Sequence, residues 1–325
     1  MSLKKGTKDV SLLTKIPPNV EPKTITTNGT YVASDEGLDG YSEVEVATSG
    51  VDINEYFIRV GNSSMRDLRR FIKNIPIIDV SGYTTMEEFF YVCSNLTTIP
   101  QLDTSKVTNM IRMFGQCAKL TTIPQLDTSN VTNMQGMFSM CSNLTTIPQL
   151  DTSNVTNMQE MFFKCNNLIS IPLMDTSKVT NMSSMFNECF LITTIPQLDT
   201  SNVTNMQSMF FSARKLNTLP LLNMSKVMYI GYMFANVSSL INIGGFENLG
   251  QAYLTTQSAN YSNYQLFLSN NKNITHDSLM NIINNLYDIK TKGVKPQQLI
   301  LGSKNLAKLT SEEIAIAQNK GWSVS

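Results

Sequence analysis

Three sets of side chains in this chain could do chemistry. The first is its one histidine, His276. It stands at the expected start of a helix, and no GxSxG, HExxH or phosphate-binding loop accompanies it, so it reads as a polar helix-start residue rather than a catalytic base. The second set is five cysteines, Cys93, Cys117, Cys141, Cys165 and Cys189, each 24 residues after the last. No CxxC pair and no neighbouring histidine suggests zinc. Ala213 and Val237 continue the same column, so the expected role is a buried ladder of reduced thiols packing as small hydrophobes. A disulfide between adjacent coils stays open as an alternative. The third set is Asp103, Asp127, Asp151, Asp175 and Asp199, continued by Asn223. Stacked carboxylates could hold calcium between coils. The competing reading has each one accept backbone N–H groups in its own turn. No two carboxylates have the contrasting surroundings of a glycosidase pair. The expectation is a chain with no cofactor, no metal site and no catalytic residues.

All three columns follow from a repeat. Pro76, Pro100, Pro124, Pro148, Pro172, Pro196 and Pro220 are 24 residues apart, and so are Phe90, Phe114, Phe138, Phe162, Phe186, Phe210 and Phe234. A fixed period of this size marks a solenoid, in which stacked neighbours share one core that no single repeat could bury. The predicted fold is α/β, a leucine-rich-repeat solenoid with 24-residue repeats, capped at both ends, plus a small N-terminal β module. In each coil a Leu-x-x-Ile step such as Leu144 and Ile147 predicts a short parallel strand ended by proline. Asp151-Thr152-Ser153 is turn chemistry. Val155, Met158, Met161, Phe162 and Cys165 then follow at helical or 3₁₀ spacing, although five apolar anchors also suit irregular turns of a tight coil.

The flanks break the period. Residues 1–22 read as an extended arm, and residues 23–50 as a small β module with a hairpin signal at Asn28-Gly29. In residues 51–75, Ser64 can cap a helix carrying Leu68, Phe71 and Ile72, an N-terminal cap for the coils of residues 76–243. Residues 244–325 hold longer leucine-rich units and a C-terminal cap. Leu266-Phe267-Leu268 and Leu299-Ile300-Leu301 predict two strands. Thr275 caps a helix with Leu279, Ile282, Ile283 and Leu286 on one face, and Thr310 with Glu313 forms a capping box. On this division residues 51–325 should fold alone, whereas residues 1–50 need a partner.

Formal net charge is zero and only 15% of residues are charged, which argues against nucleic-acid binding. No apolar run approaches the length of a membrane span. The N-terminus lacks the apolar core of a secretory signal, so synthesis in a cytoplasm without a signal peptide is expected. Recognition is better sought where the repeats differ. The phrase TTIPQLDTS barely changes, whereas the columns after the Met–Phe pair vary freely: Gly115, Ser139, Phe163, Asn187, Phe211 and Ala235 in one, for example. Core columns are fixed by packing, so varying columns should be exposed. Exposed aromatics among polar side chains grip sugars or protein loops. The candidate recognition face is Phe163, Lys164, Phe190, Phe211, Arg214, Tyr229 and Tyr232.

The repeated phrase TSNVTNMQGMFSMCSNLTTIPQLD resembles the BspA-like leucine-rich repeat proteins over residues 76–243. That resemblance implies a bacterial surface protein or adhesin, although an export signal and a wall anchor are not seen. ITTNGTYVASDEGLDGYSEVEV is similar to a β module of tail-associated proteins in phages of Gram-positive hosts. THDSLMNIINNLYDI and TSEEIAIAQNKGW are similar to the closing segment of leucine-rich repeat proteins in the same context. Together these imply a virion protein of the tail or baseplate. Residues 1–50 would bind other virion proteins, and the solenoid would bind a host cell-surface glycan or protein. A head decoration or tail scaffold protein and a bacterial surface adhesin are the alternatives, and oligomerisation is left open.

Overall fold

A ladder of phenylalanine rings runs through the centre of the molecule. Phe90, Phe114, Phe138, Phe162, Phe186, Phe210 and Phe234 stack in sequence, with ring centroids 5.5–5.7 Å apart and planes within 12° of parallel. This is the offset arrangement that aromatic quadrupoles favour. The methionine, valine, leucine and cysteine columns close around the rings and are buried with them. The chain is therefore a repeat protein whose core is one continuous ladder. The computed structural model describes residues 10–15, 43–48, 80–252, 265–292 and 296–325. The expected hairpin at Asn28-Gly29 and the cap of residues 51–75 lie outside the described residues.

The stretch expected as a helix in each coil is a staircase of turns. Met113, Gly115 and Cys117 donate their N–H groups three residues back within the coil, to Met110, Arg112 and Phe114. Met110, Arg112, Phe114 and Gln116 donate to Asn133, Gln135, Met137 and Ser139 of the next coil. Alternate N–H groups thus serve the turn and the neighbour. A helix would direct every one of them along its own axis. The staircase places two residues per coil in the left-handed region, such as Arg112 (φ 49°) and Gln116 (φ 63°), or Glu160 (φ 56°) and Lys164 (φ 58°). Among these coils Gly136 (φ 59°) is the one glycine so placed. The helix expected within each coil is thereby corrected; among the described residues α-helices occur only after the coils. The observed spacing at steps of 3, 3, 1 and 3 arises because each turn returns an apolar side chain to the core every three residues.

The expected strands are also corrected. Among the described coils, regular parallel strands pair only at the end of the stack: β3 (Thr218–Leu219) with β5 (Asn242–Ile243), and β4 (Leu222–Asn223) with β6 (Phe246–Glu247). Proline supplies no N–H to a ladder, and Pro100 to Pro220 put one in every earlier segment. Gly244 is the first residue in that column with a donor, and its N–H reaches Leu219 O at 2.9 Å. A Cβ at Gly244 would sit 2.5 Å from Leu221 N, so only glycine lets the chains come this close.

At the N-terminal side, β1 (Val10–Lys15) pairs antiparallel with β2 (Glu43–Thr48), from Val10↔Thr48 to Lys15↔Glu43. The arm and the β module are thus joined by a ladder, where the sequence suggested separate pieces. After the coils, β7 (Gln265–Phe267), β8 (Gln297–Ile300) and β9 (Trp322–Val324) form a parallel sheet in that order, with Leu266 opposite Leu299. Helix α1 (His276–Asn285) starts at Thr275, whose hydroxyl accepts the Ser278 N–H, and it buries Leu279, Ile282 and Ile283. Between β8 and β9 lie the short α2 (Ser303–Leu306) and α3 (Ser311–Asn319). The Thr310–Glu313 capping box opens α3, and Gly321 (φ 91°) follows it.

Candidate functional site

The turn chemistry between coils is fully engaged in the fold. Asp151 Oδ1 accepts the N–H and the hydroxyl of Ser153, and those bonds hold its carboxyl below the usual carboxylate range. Asp103, Asp127, Asp175 and Asp199 likewise each accept the N–H of the serine two residues on. Between them, buried Thr152 donates its hydroxyl to the carbonyl of Asp175 in the next coil at 2.8 Å, a bond repeated from Thr104 to Thr200. Among the described residues no group of three or more potential ligands could hold a metal ion. The five cysteines are reduced and buried. Cys117, Cys141, Cys165 and Cys189 each donate to a phenylalanine carbonyl of the preceding coil at 3.0–3.1 Å. Burial pushes the Cys141 thiol up to about 12 and raises the Cys165 and Cys189 thiols as well. His276 Nε2 lies 2.9 Å from Glu313 Oε1, joining the start of α1 to that of α3.

The varying columns lie along the staircase, on the stretch of each coil outside the methionine and phenylalanine anchors. Tyr229 and Tyr232 are exposed, at 44% and 68%. Phe163, Phe190 and Phe211 are half-buried rather than free. The reason is packing within the column and along the coil. Arg214 lies 4.8 Å over the Phe190 ring from the next coil. Lys164 lies 5.2 Å over Phe163, and its Nζ is 3.6 Å from Glu188 Oε1. The site is thus two cation–aromatic pairs and two projecting tyrosines, spread over successive coils rather than gathered in one pocket. Such pairs are attractive when partly desolvated.

Tyr232 also borders a cleft of 390 Å³ between the seventh coil and β7. Gln207, Gln265, Phe267 and Asn270 line it with Tyr232. Phe267, 46% exposed, is absent from the candidates drawn from sequence. Its signal was present: it alternates with buried Leu266 and Leu268, so it points to the solvent face of β7.

A chain of stacked coils around one continuous ladder belongs to the class of repeat proteins. The sequence matches DUF285, described as a Mycoplasma protein of unknown function, over residues 62–171 and 166–274. These spans cover well over half of the chain, which therefore belongs to that family. No curated protein matches the sequence. Among solved structures, a leucine-rich cell surface protein from Faecalibacterium prausnitzii A2-165 is similar at 15% identity. That match covers 87% of this chain and 90% of the other, with a TM-score of 0.32.

Proposed function

We propose that the protein is a non-enzymatic adhesion or recognition protein of bacterial surface type. In this reading it is a leucine-rich-repeat solenoid capped at both ends, whose variable flank binds a cell-surface glycan or protein. One observation carries it. Columns used by the coils for packing and turn bonds hardly change, whereas Phe163–Lys164, Phe190–Arg214 and Tyr232 lie in columns that vary from coil to coil, and Tyr229 replaces the asparagine that accepts a turn N–H in the five coils before it. Tyr229 and Tyr232 put two large rings in water three residues apart, a surface suited to a partner. The surface-adhesin location also suits the BspA-like phrase and a family described from a cellular bacterium. The virion location, with residues 1–50 attached to a tail or baseplate, rests on the shorter terminal resemblances and stands second.

Binding of the purified protein to bacterial and host cells and to arrayed glycans tests the reading. The variant Tyr229→Ala/Tyr232→Ala should weaken binding by about 1–3 kcal/mol, and Phe190→Ala/Arg214→Ala should do likewise. Lys106→Ala, at an exposed turn position away from this flank, should change nothing. Binding that survives both double variants would remove this flank as the recognition face. Immunogold labelling separates the locations: gold on intact cells supports the adhesin, and gold on tail tips supports the virion.

A further inference from the structure

A second stretch of the coil, distinct from the recognition flank, breaks the repeat at a cost. In seven successive coils the segment from Thr97 to Gln101, and its counterparts up to Ile241–Gly245, turns its middle isoleucine or leucine into the core and presents the rest as a strip without a charged side chain. The glutamines stitch it together. Gln101, Gln125 and Gln149 each donate through Nε2 to the backbone carbonyl 24 residues on, as does Gln197. In the fourth segment this rule fails. Leu173 replaces the glutamine and is 64% exposed, and Ile169 replaces a threonine and is 55% exposed. The change forfeits a coil-to-coil hydrogen bond and puts two large aliphatic side chains in water. Leu221 and Ile241 repeat it toward the end of the strip, each at 39% exposure. A local rule broken without a packing gain marks a functional position.

We infer that this strip is the interface of a parallel homodimer whose two-fold axis runs along the stack. Such an axis sets each coil against its own counterpart and exchanges the two edges of the strip. Ile169 then faces Leu173 of the second copy, at the middle of seven segments, and Leu173 faces the second copy's Ile169. Elsewhere the threonine column meets the glutamine column, hydroxyl to amide. The edges complement each other in charge. Asp103, Asp127, Asp151, Asp175 and Asp199 border one side of the strip, and Lys119 borders the other two residues before Thr121, so exchange brings Lys119 toward the second copy's Asp127 in the same coil. An antiparallel pairing would set the aspartate columns together and is disfavoured. The shape allows contact. Coil-to-coil hydrogen bonds recur on separate stretches of the perimeter, for example Thr132 N–H to Thr108, Asn143 N–H to Ala118 and Gly136 N–H to Gln159, so the stack does not fan sharply. Seven segments at the ring spacing give a strip roughly 34 Å long, and five extended residues make it roughly 16 Å wide. With side-chain relief this approaches the ~800 Å² per partner of a standard interface.

The test uses the full chain and restores the repeat's own residues. Ile169→Thr/Leu173→Gln gives the fourth segment the sequence pattern of its neighbours, so it cannot fail for want of a fold. Sedimentation velocity should show a dimer for the native chain, and the double variant should raise the dimer Kd by more than about tenfold. Thermal unfolding of the variant, extrapolated to the monomer, should be no lower than that of the native chain. Oxidation of an Ile169→Cys/Leu173→Cys chain should link residue 169 of one copy to 173 of the other, read by peptide mapping. A native chain that is monomeric at 100 µM (about the top of the range in which a ~1,600 Å² interface would be missed) overturns the inference. So does a dimer indifferent to the restoring variant, or cross-linking of 173 to 173 alone.

Discussion

At the scale of single residues, the side chains that could do chemistry have been turned to holding coils together. Cys141 is the clearest case. Its thiol is buried and donates to Phe114 O at 3.0 Å, and burial holds its pKa at about 12, against about 8.5 for a free cysteine. The folded state therefore keeps a proton that the unfolded state loses. This contribution to stability is complete below pH ~8.5 and disappears as the pH climbs from there toward 12. Urea midpoints should fall across that window. The fall should be shallower in Cys141→Ala, a change already tolerated in the same column at Ala213. Thiol reagents should leave all five cysteines untouched in the native protein and reach them in urea. The buried threonines make a second case. Thr152→Val keeps the shape but leaves the Asp175 carbonyl without its 2.8 Å donor. Loss of one such bond should cost about 1–3 kcal/mol by chemical denaturation, whereas Ser153→Ala, at a half-exposed turn, should cost less.

At the scale of the element, the staircase tolerates strain that a helix would not have. Among the described residues, fourteen non-glycine residues have positive φ, most of them in two columns of the coil. Each carries a cost that the inter-coil hydrogen bonds offset. Ser184 (φ 55°) lies in one such column. Ser184→Gly should therefore stabilise the protein, by about 0.5–1 kcal/mol once the extra entropy of glycine in the unfolded chain is deducted. In a helix the same change would destabilise by a similar amount, so the sign of the effect separates the two structures. Gly244→Ala should act in the opposite direction, because its Cβ meets backbone at 2.5 Å. This contrast shows what the sequence could tell. Period, core columns and the helices of residues 276–285 and 311–319 were legible, because burial and capping write directly into residue type. The staircase was not, because three-residue turn spacing and helical spacing place the same side chains inward, and the left-handed positions accept Lys164, Glu188 or Met140 as readily as Gly136. The candidate face was legible only as variability. That Phe163 and Phe190 fold down beneath Lys164 and Arg214 depends on neighbours 1 and 24 residues away, which column variation does not report.

At the scale of the molecule, a core made of one ring stacked on the next should make stability nearly a sum over coils and their interfaces. The coils containing Phe114, Phe138 and Phe162 use the same bonds at the same distances: Thr to Asp carbonyl, Cys to Phe carbonyl, and ring on ring at 5.6–5.7 Å. Any one should therefore be removable. Deleting residues 121–144 joins Leu120 to Thr145, which keeps every column in phase and sets Phe114 against Phe162. The shortened protein should remain folded, with an unchanged circular dichroism shape, a lower urea midpoint and an m-value reduced with the surface it no longer buries. It should also keep its binding partners, since Phe163, Phe190, Tyr229 and Tyr232 all lie beyond the cut. Deleting only residues 121–132 removes half a period. It would place polar turn residues against the phenylalanine ladder and should leave no cooperative transition. If both deletions behave alike, the coils are not interchangeable units, and the stability of this chain is held by its ends rather than by its repeat.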